Sequence, residues 1–225
     1  MNRLFDVFSA PSRLFTNLKE KPKWIIPFII VLVVIALAAS STVVLTKDAI
    51  ITRQEEMLKE RGMNDEQIEQ TRKFMQGPLP VVFGGISGAI FVGVLLLLFT
   101  VILNLFLPVF GGTSGFKSVL TVVSFSALIK VPSAILKIIL MAITKSPFVT
   151  TSLALVASNL EKTSFVYQLL AGFDFFIIWE MILVAIGINI ISGVKKQNAY
   201  VLVFLIWFVS LFIGIGLSFL RGPAG

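Results

Sequence analysis

Along the chain, apolar residues gather in five long runs separated by short polar stretches: Trp24 to Leu45, Val81 to Leu107, Phe116 to Ile143, Tyr167 to Ser192 and Ala199 to Leu220. Each run supplies the ~20 residues that an α-helix needs to cross the ~30 Å hydrocarbon core of a bilayer. Inside lipid the backbone N–H and C=O groups find no water, so runs of this kind become helices that satisfy those groups internally. The pattern predicts an all-α, polytopic membrane protein built as a five-helix transmembrane bundle, its membrane domain covering residues 24–220. Residues 1–23 form a cytoplasmic amphipathic segment, and 221–225 a short tail.

The polar stretch 46–79 is long enough to carry structure of its own. A helix there should end at Arg61-Gly62, because glycine is the usual residue just past a helix terminus. Asn64 then reads as an N-cap, with Asp65 and Glu66 in the first turn and Gln67 at the capping-box position. Gly77-Pro78 stops the second helix. The result is an extramembrane helical hairpin, weakly amphipathic through Ile50, Ile51, Met57, Leu58, Ile68 and Phe74, which acts as a solvated cap or binds a partner. Before the first run, Leu4, Phe8, Phe15 and Leu18 recur near helical spacing while Arg13, Lys19, Lys21 and Lys23 gather at the end. Pro11 suits a first helical turn, so a helix over about Pro11 to Glu20 is expected on the cytoplasmic membrane face, drawing anionic lipid; a plain basic anchor explains the same residues.

Within the runs, small residues form ribbons. Gly85, Ala89 and Gly93 stand at i, i+4 and i+8 in the second run, Gly84 and Gly88 add a second row, and Ser210, Gly214 and Ser218 repeat the device in the fifth. Such ribbons let backbones approach closely, within one bundle or between two copies of the chain. The third run holds Lys117, Lys130 and Lys137, with Pro132 beside Lys130; proline deletes a helical hydrogen bond and disfavours α geometry at Val131, so a kinked or broken span is expected. Lys137 is placed to snorkel, whereas Lys130 is too central to do so easily.

Charge and composition sharpen the picture. Hydrophobic residues make up 56% of the chain and charged residues 14%, against about 25% charged in a soluble domain, and mean hydropathy is +0.96. Arg3, Arg13, Lys19, Lys21 and Lys23 precede the first run, which favours a cytoplasmic N-terminus; five spans then put the C-terminus on the other side of the cell membrane. The first run begins too late and runs too long for a cleaved signal peptide. The net charge of +7 fits anionic lipid rather than nucleic acid, since no compact basic and aromatic patch occurs.

Candidate chemistry is sparse. The chain has no cysteine and no histidine, which removes thiolate and imidazole metal ligands and the usual general base; no cofactor or metal is expected. No phosphate loop, dinucleotide fingerprint, G-x-S-x-G or H-E-x-x-H is found. What remains is a set of charges inside the membrane: Asp174 and Glu180 in the fourth run and Lys130 in the third. Six residues place the two acids about 120° apart on a helix, so they do not form a dyad sharing one proton; Asn189 falls nearer the Asp174 face. Intramembrane charges are costly and seek partners or water. Lys130, Asp174 and Glu180 are therefore the candidate binding residues, either as a structural pair joining the third and fourth spans or as an ionisable path.

Several segments together resemble one family. Phe8-Ser9-Ala10-Pro11-Ser12-Arg13-Leu14-Phe15, Lys21-Pro22-Lys23-Trp24-Ile25-Ile26-Pro27 and Ser124-Phe125-Ser126-Ala127-Leu128-Ile129-Lys130-Val131-Pro132 are similar to bacterial Yip1-domain (Rab-interacting) membrane proteins. So are Asp174-Phe175-Phe176-Ile177-Ile178-Trp179, Leu183 to Gly187, and the Asn198-Ala199-Tyr200 entry to the last span. The resemblance implies a five-helix bundle with a cytoplasmic N-terminus. Eukaryotic members work in vesicle traffic and bind prenylated Rab GTPases, but this chain lacks their Asp-Leu-Tyr-Gly-Pro motif and long N-terminal region. The implied role is a non-enzymatic scaffold or an assembly and accessory factor for membrane trafficking or export machinery, with a membrane-protein partner or a homo-oligomer. The competing reading is a small transporter or channel whose path runs past Asp174, Glu180 and the broken third span.

Overall fold

The computed structural model describes residues 2–144, 146 and 149–220, with side chains from Leu4 onward; the 221–225 tail lies outside them. Among the described residues the chain is helical, its one β feature being an isolated bridge between Ser152 and Asp174. The helices are α1 (Asn2–Ser9), α2 (Pro11–Lys19), α3 (Ile25–Leu45), α4 (Lys47–Glu60), α5 (Asp65–Gln76), α6 (Leu79–Phe106), α7 (Phe116–Ser126), α8 (Lys130–Thr144), α9 (Phe165–Gly172), α10 (Phe175–Ser192) and α11 (Lys196–Leu220). Short 3-10 turns cover Leu107–Phe110, Ala127–Ile129 and Leu153–Ala157. Among the described residues five stretches are long and apolar enough to span a bilayer: Ile25–Leu45, Leu79–Phe110, Phe116–Thr144, Phe175–Ser192 and Lys196–Leu220.

The spans differ sharply in burial, and that sets the architecture. Two-thirds of the most apolar part of the Phe116–Thr144 stretch is buried (67%), against 11% for α3 and 17% for α11. Helix α7 is therefore the central post, enclosed by α6, α10, α3 and α2, and every residue from Val119 to Ile129 is buried. The peripheral helices turn Ile29, Val33, Phe83, Ile90, Phe91 and Phe212 outward, a band of apolar side chains that water would not tolerate and lipid requires.

The most extensive helix–helix interface joins α3 to α6, and the glycine ribbon makes it. A Cβ on Gly85 would run into Ser40 Oγ and lie 3.1 Å from the Ala36 carbonyl oxygen; one on Gly88 would sit 3.0 Å from Ala39 Cβ. The close approach lets Ser40 Oγ donate to the Val81 carbonyl at 3.0 Å. The α6 ribbon is thus used inside the chain. The α11 ribbon is used only in part: nothing lies within 4 Å of a Cβ built on Gly214, Ser210 returns its hydroxyl to the Ile206 and Trp207 carbonyls of its own helix, and Ser218 donates to Gln168 Oε1 of α9 at 2.5 Å.

The hairpin forms as its sequence dictates. Helix α4 ends with Gly62 at φ +72°, Met63 N–H donating to the Leu58 carbonyl and Gly62 N–H to that of Lys59, a glycine-dependent helix end. Asn64 and Gln67 exchange the two capping-box bonds. Arg72 pairs with Glu55 at 3.4 Å, and Lys47 Nζ donates to the Gln76 carbonyl at 2.5 Å, fastening the hairpin to its own base.

The N-terminal helix Pro11–Lys19 also forms, but it does not lie flat against lipid. Its apolar side, Leu14, Phe15 and Leu18, is buried against α7 and α10. The absence of a side chain at Gly187 opens the slot: a Cβ there would overlap Val122 and lie 3.2 Å from Phe15 Cε2. Phe8, at the end of α1, meets Trp179 edge to face at 6.2 Å. Trp179 and Gly187 are about 12 Å apart along α10 at 1.5 Å per residue, so α1 and α2 climb beside that helix as part of the bundle. The basic residues Arg13, Lys19, Lys21 and Lys23 remain exposed.

Candidate functional site

The third run breaks where its proline demands. Helix α7 tightens into a 3-10 turn at Ala127–Ile129 and restarts at Lys130, so Pro132 falls in the first turn of α8, where its missing N–H costs least. The restart brings Lys130, Ser133 and Lys137 onto one face of α8, the i, i+3, i+7 row. That face looks at α10 and α3.

The fourth run departs from expectation. It is not one helix from Tyr167 to Ser192: α9 stops at Gly172, Phe173 leaves helical geometry, and Asp174 is the N-cap of α10 rather than a residue inside a span. The 120° relationship expected for Asp174 and Glu180 therefore does not apply. The physical reason is the aspartate itself, whose Oδ1 accepts the Phe176 N–H at 2.9 Å and so favours extended backbone at its own position. Gly172 followed by Asp174 ahead of an apolar run is a stop-and-start signal legible in the sequence. The extended backbone also lets Leu153 N–H donate to the Phe173 carbonyl at 3.1 Å, tying the 149–160 segment to this end of the bundle.

Both buried acids find lysines. Glu180, with a side chain only 6% exposed, forms a short ion pair with Lys130. Asp174 Oδ2 accepts the Thr151 hydroxyl at 2.5 Å and lies 3.6 Å from Lys137 Nζ. Lys137 thus turns to Asp174 instead of snorkelling away. The candidate residues Lys130 and Glu180 are brought together directly; Asp174 belongs to a second pair on the same wall, and Lys137 and Thr151 were not singled out as its partners. Asn189 has no part here: it donates to the Val194 carbonyl at 2.7 Å, beyond the far end of α10.

The two pairs line a cavity of about 450 Å3 between α3, α8 and α10. Its apolar walls include Ile35, Ala38, Val92, Ile138, Met141 and Ile177, and Ser133 lies between the two lysines. The lining comes from the second half of α3 and the first turns of α10, so the cavity belongs to the side of the bundle that carries the hairpin. Of its lining, Ile129, next to Lys130, is fully buried and belongs to the core. Among the described residues no group of three acids stands close enough to hold a metal ion.

A family model described as the Yip1 domain matches residues 5–218. The membrane protein YknW of Bacillus subtilis (strain 168) is 27% identical over 222 residues, covering 94% of this chain and 90% of that protein. No solved structure gives a significant match.

Proposed function

The chain belongs to the Yip1-domain family, and from that premise we propose that this multi-pass membrane protein works as a non-enzymatic scaffold or assembly factor for other membrane proteins. The observation that carries the reading is the closure of the intramembrane charges on one another. Lys130 pairs with Glu180 and Lys137 faces Asp174, so each buried acid on the cavity wall has a lysine opposite it. Charges that only gate a path need water on both sides; charges paired between helices fix how those helices sit, and with them the surface offered to a partner. Without histidine or cysteine, the usual nucleophile and base pairs are missing, which favours a non-catalytic role.

The test is crosslinking and co-purification from the native membrane, comparing the wild-type chain with Lys130→Gln and Asp174→Asn. A discrete partner captured by the wild type and lost by correctly inserted variants is the expected result. Intact variants with no partner in any sample would overturn the reading. A small transporter is the second reading, favoured by the charged cavity itself; it predicts ion flux in liposomes that Lys130→Gln abolishes.

The proposal places the N-terminus and the Lys195-Lys196 turn in the cytoplasm, following the basic residues ahead of α3, and the hairpin and cavity on the opposite face. The absence of native cysteine makes this directly testable, since single cysteines at Ser12 and Gln54 can be labelled without background. Labelling of Ser12→Cys in intact cells would reverse the assignment.

A further inference from the structure

The cavity between α3, α8 and α10 holds an imbalance that the ion pairs leave standing. Each lysine ammonium carries three donors. Lys130 spends one on Glu180; Lys137 sits 3.6 Å from Asp174 and donates no hydrogen bond within the described residues. Between them Ser133, only 9% exposed, has a hydroxyl with no partner among the described residues. The acceptors on the same wall are already engaged: Asp174 is occupied by the Phe176 N–H and the Thr151 hydroxyl, Glu180 by Lys130, and both carboxylates are nearly inaccessible. The hydrogen-bonding capacity left in the cavity is therefore on the donors of Lys130, Ser133 and Lys137, beside an apolar wall.

We propose that this cavity is a binding site for an amphiphile with an anionic head, a phosphate or carboxylate seated on Lys130, Ser133 and Lys137 with its apolar body along α3. The charge-assisted donors suit an oxyanion. The walls of Ile35, Ala38, Val92, Ile138, Met141 and Ile177 exclude a purely hydrated ion, and about 450 Å3 lies within the ~300–1,000 Å3 of ligand sites that combine apolar walls with a few polar anchors. The assignment goes beyond the scaffold role and stands whether or not a protein partner docks elsewhere on the chain.

The test uses the full chain in a non-ionic detergent, titrated with a short-chain phosphatidylglycerol, the matching phosphatidylcholine, a medium-chain fatty acid and inorganic phosphate. Binding is read by native mass spectrometry and by the shift in unfolding temperature. One anionic amphiphile per chain is expected, with phosphatidylcholine and inorganic phosphate binding at least about tenfold more weakly, the loss of one charge-assisted contact. Preference between the phospholipid and the fatty acid identifies the source of the head group. Ala38→Phe, which fills the cavity without touching a charge, should abolish binding. Ser133→Ala should weaken it while leaving unliganded unfolding close to wild type; Lys137→Gln should weaken it too, at some cost in unliganded stability because Asp174 loses its facing cation, and both keep the proposal testable if Ala38→Phe fails to fold. Equal binding of both phospholipids, or anionic binding unchanged in Lys137→Gln and Ser133→Ala, would mean lipid on the outer surface only and would overturn the site.

Discussion

The ammonium of Lys130 on α8 meets the buried carboxylate of Glu180 on α10 across a separation of 50 residues in the chain. The pair is asymmetric. Lys130 keeps 26% of its side chain exposed to the cavity while Glu180 keeps 6%, so removal of the lysine strands a charge that has nowhere to go. Lys130→Met is expected to cost roughly 3 kcal/mol, the scale for breaking one side of a buried pair, with Glu180→Gln costing less and Lys130→Met/Glu180→Met recovering most of the loss. Denaturant unfolding in mixed micelles gives all three values; a double variant as unstable as Lys130→Met would refute the pairing.

Asp174 performs two tasks that substitution separates. Asn retains an oxygen to accept the Phe176 N–H but gives up the charge facing Lys137; Ala gives up both. Asp174→Ala should therefore be less stable than Asp174→Asn by about 1 kcal/mol, the usual worth of an N-cap. Hydrogen exchange at the first turn of α10 should rise only for Ala, and equal exchange in both variants would count against the cap.

The two glycine ribbons predict opposite responses to alanine. At Gly85 the new methyl collides with Ser40 and approaches the Ala36 carbonyl oxygen, an overpacking cost of about 1–3 kcal/mol. At Gly214 it meets nothing, and better helix propensity adds up to about 1 kcal/mol. Unfolding temperatures of Gly85→Ala and Gly214→Ala should move in opposite directions.

Phenylalanine scanning of the first twenty residues tests whether α2 is part of the bundle. Phe15 is fully buried against α7 and α10, whereas Phe5 is 70% exposed. Phe15→Ala is expected to cost about 3–5 kcal/mol through the cavity it leaves, and Phe5→Ala close to nothing. Similar stabilities for the two would mean that α2 detaches from the bundle and rests on lipid.

The sequence by itself determined the class of molecule, the number of spans, the hairpin with its capping box, and the break at Pro132. Each of these rests on a local rule: the length of an apolar run, a cap that bonds within three residues, or a proline that lacks an N–H. Local rules also carried the information that Asp174 caps a helix, in Gly172 and the apolar run that follows, although the hydropathy of Tyr167 to Ser192 masks it.

Only the tertiary structure decided which charges meet, which faces are buried and where space remains. Lys137 reaches Asp174 because a 3-10 turn resets the phase of α8, and no periodicity along one run encodes the phase of another. The apolar side of α2 is compatible with lipid or protein alike; Gly187, 172 residues later, opens the slot that selects protein. The cavity has no sequence signature at all, because it is the volume three helix faces fail to fill once α3 has closed on α6 and α7 has become the central post.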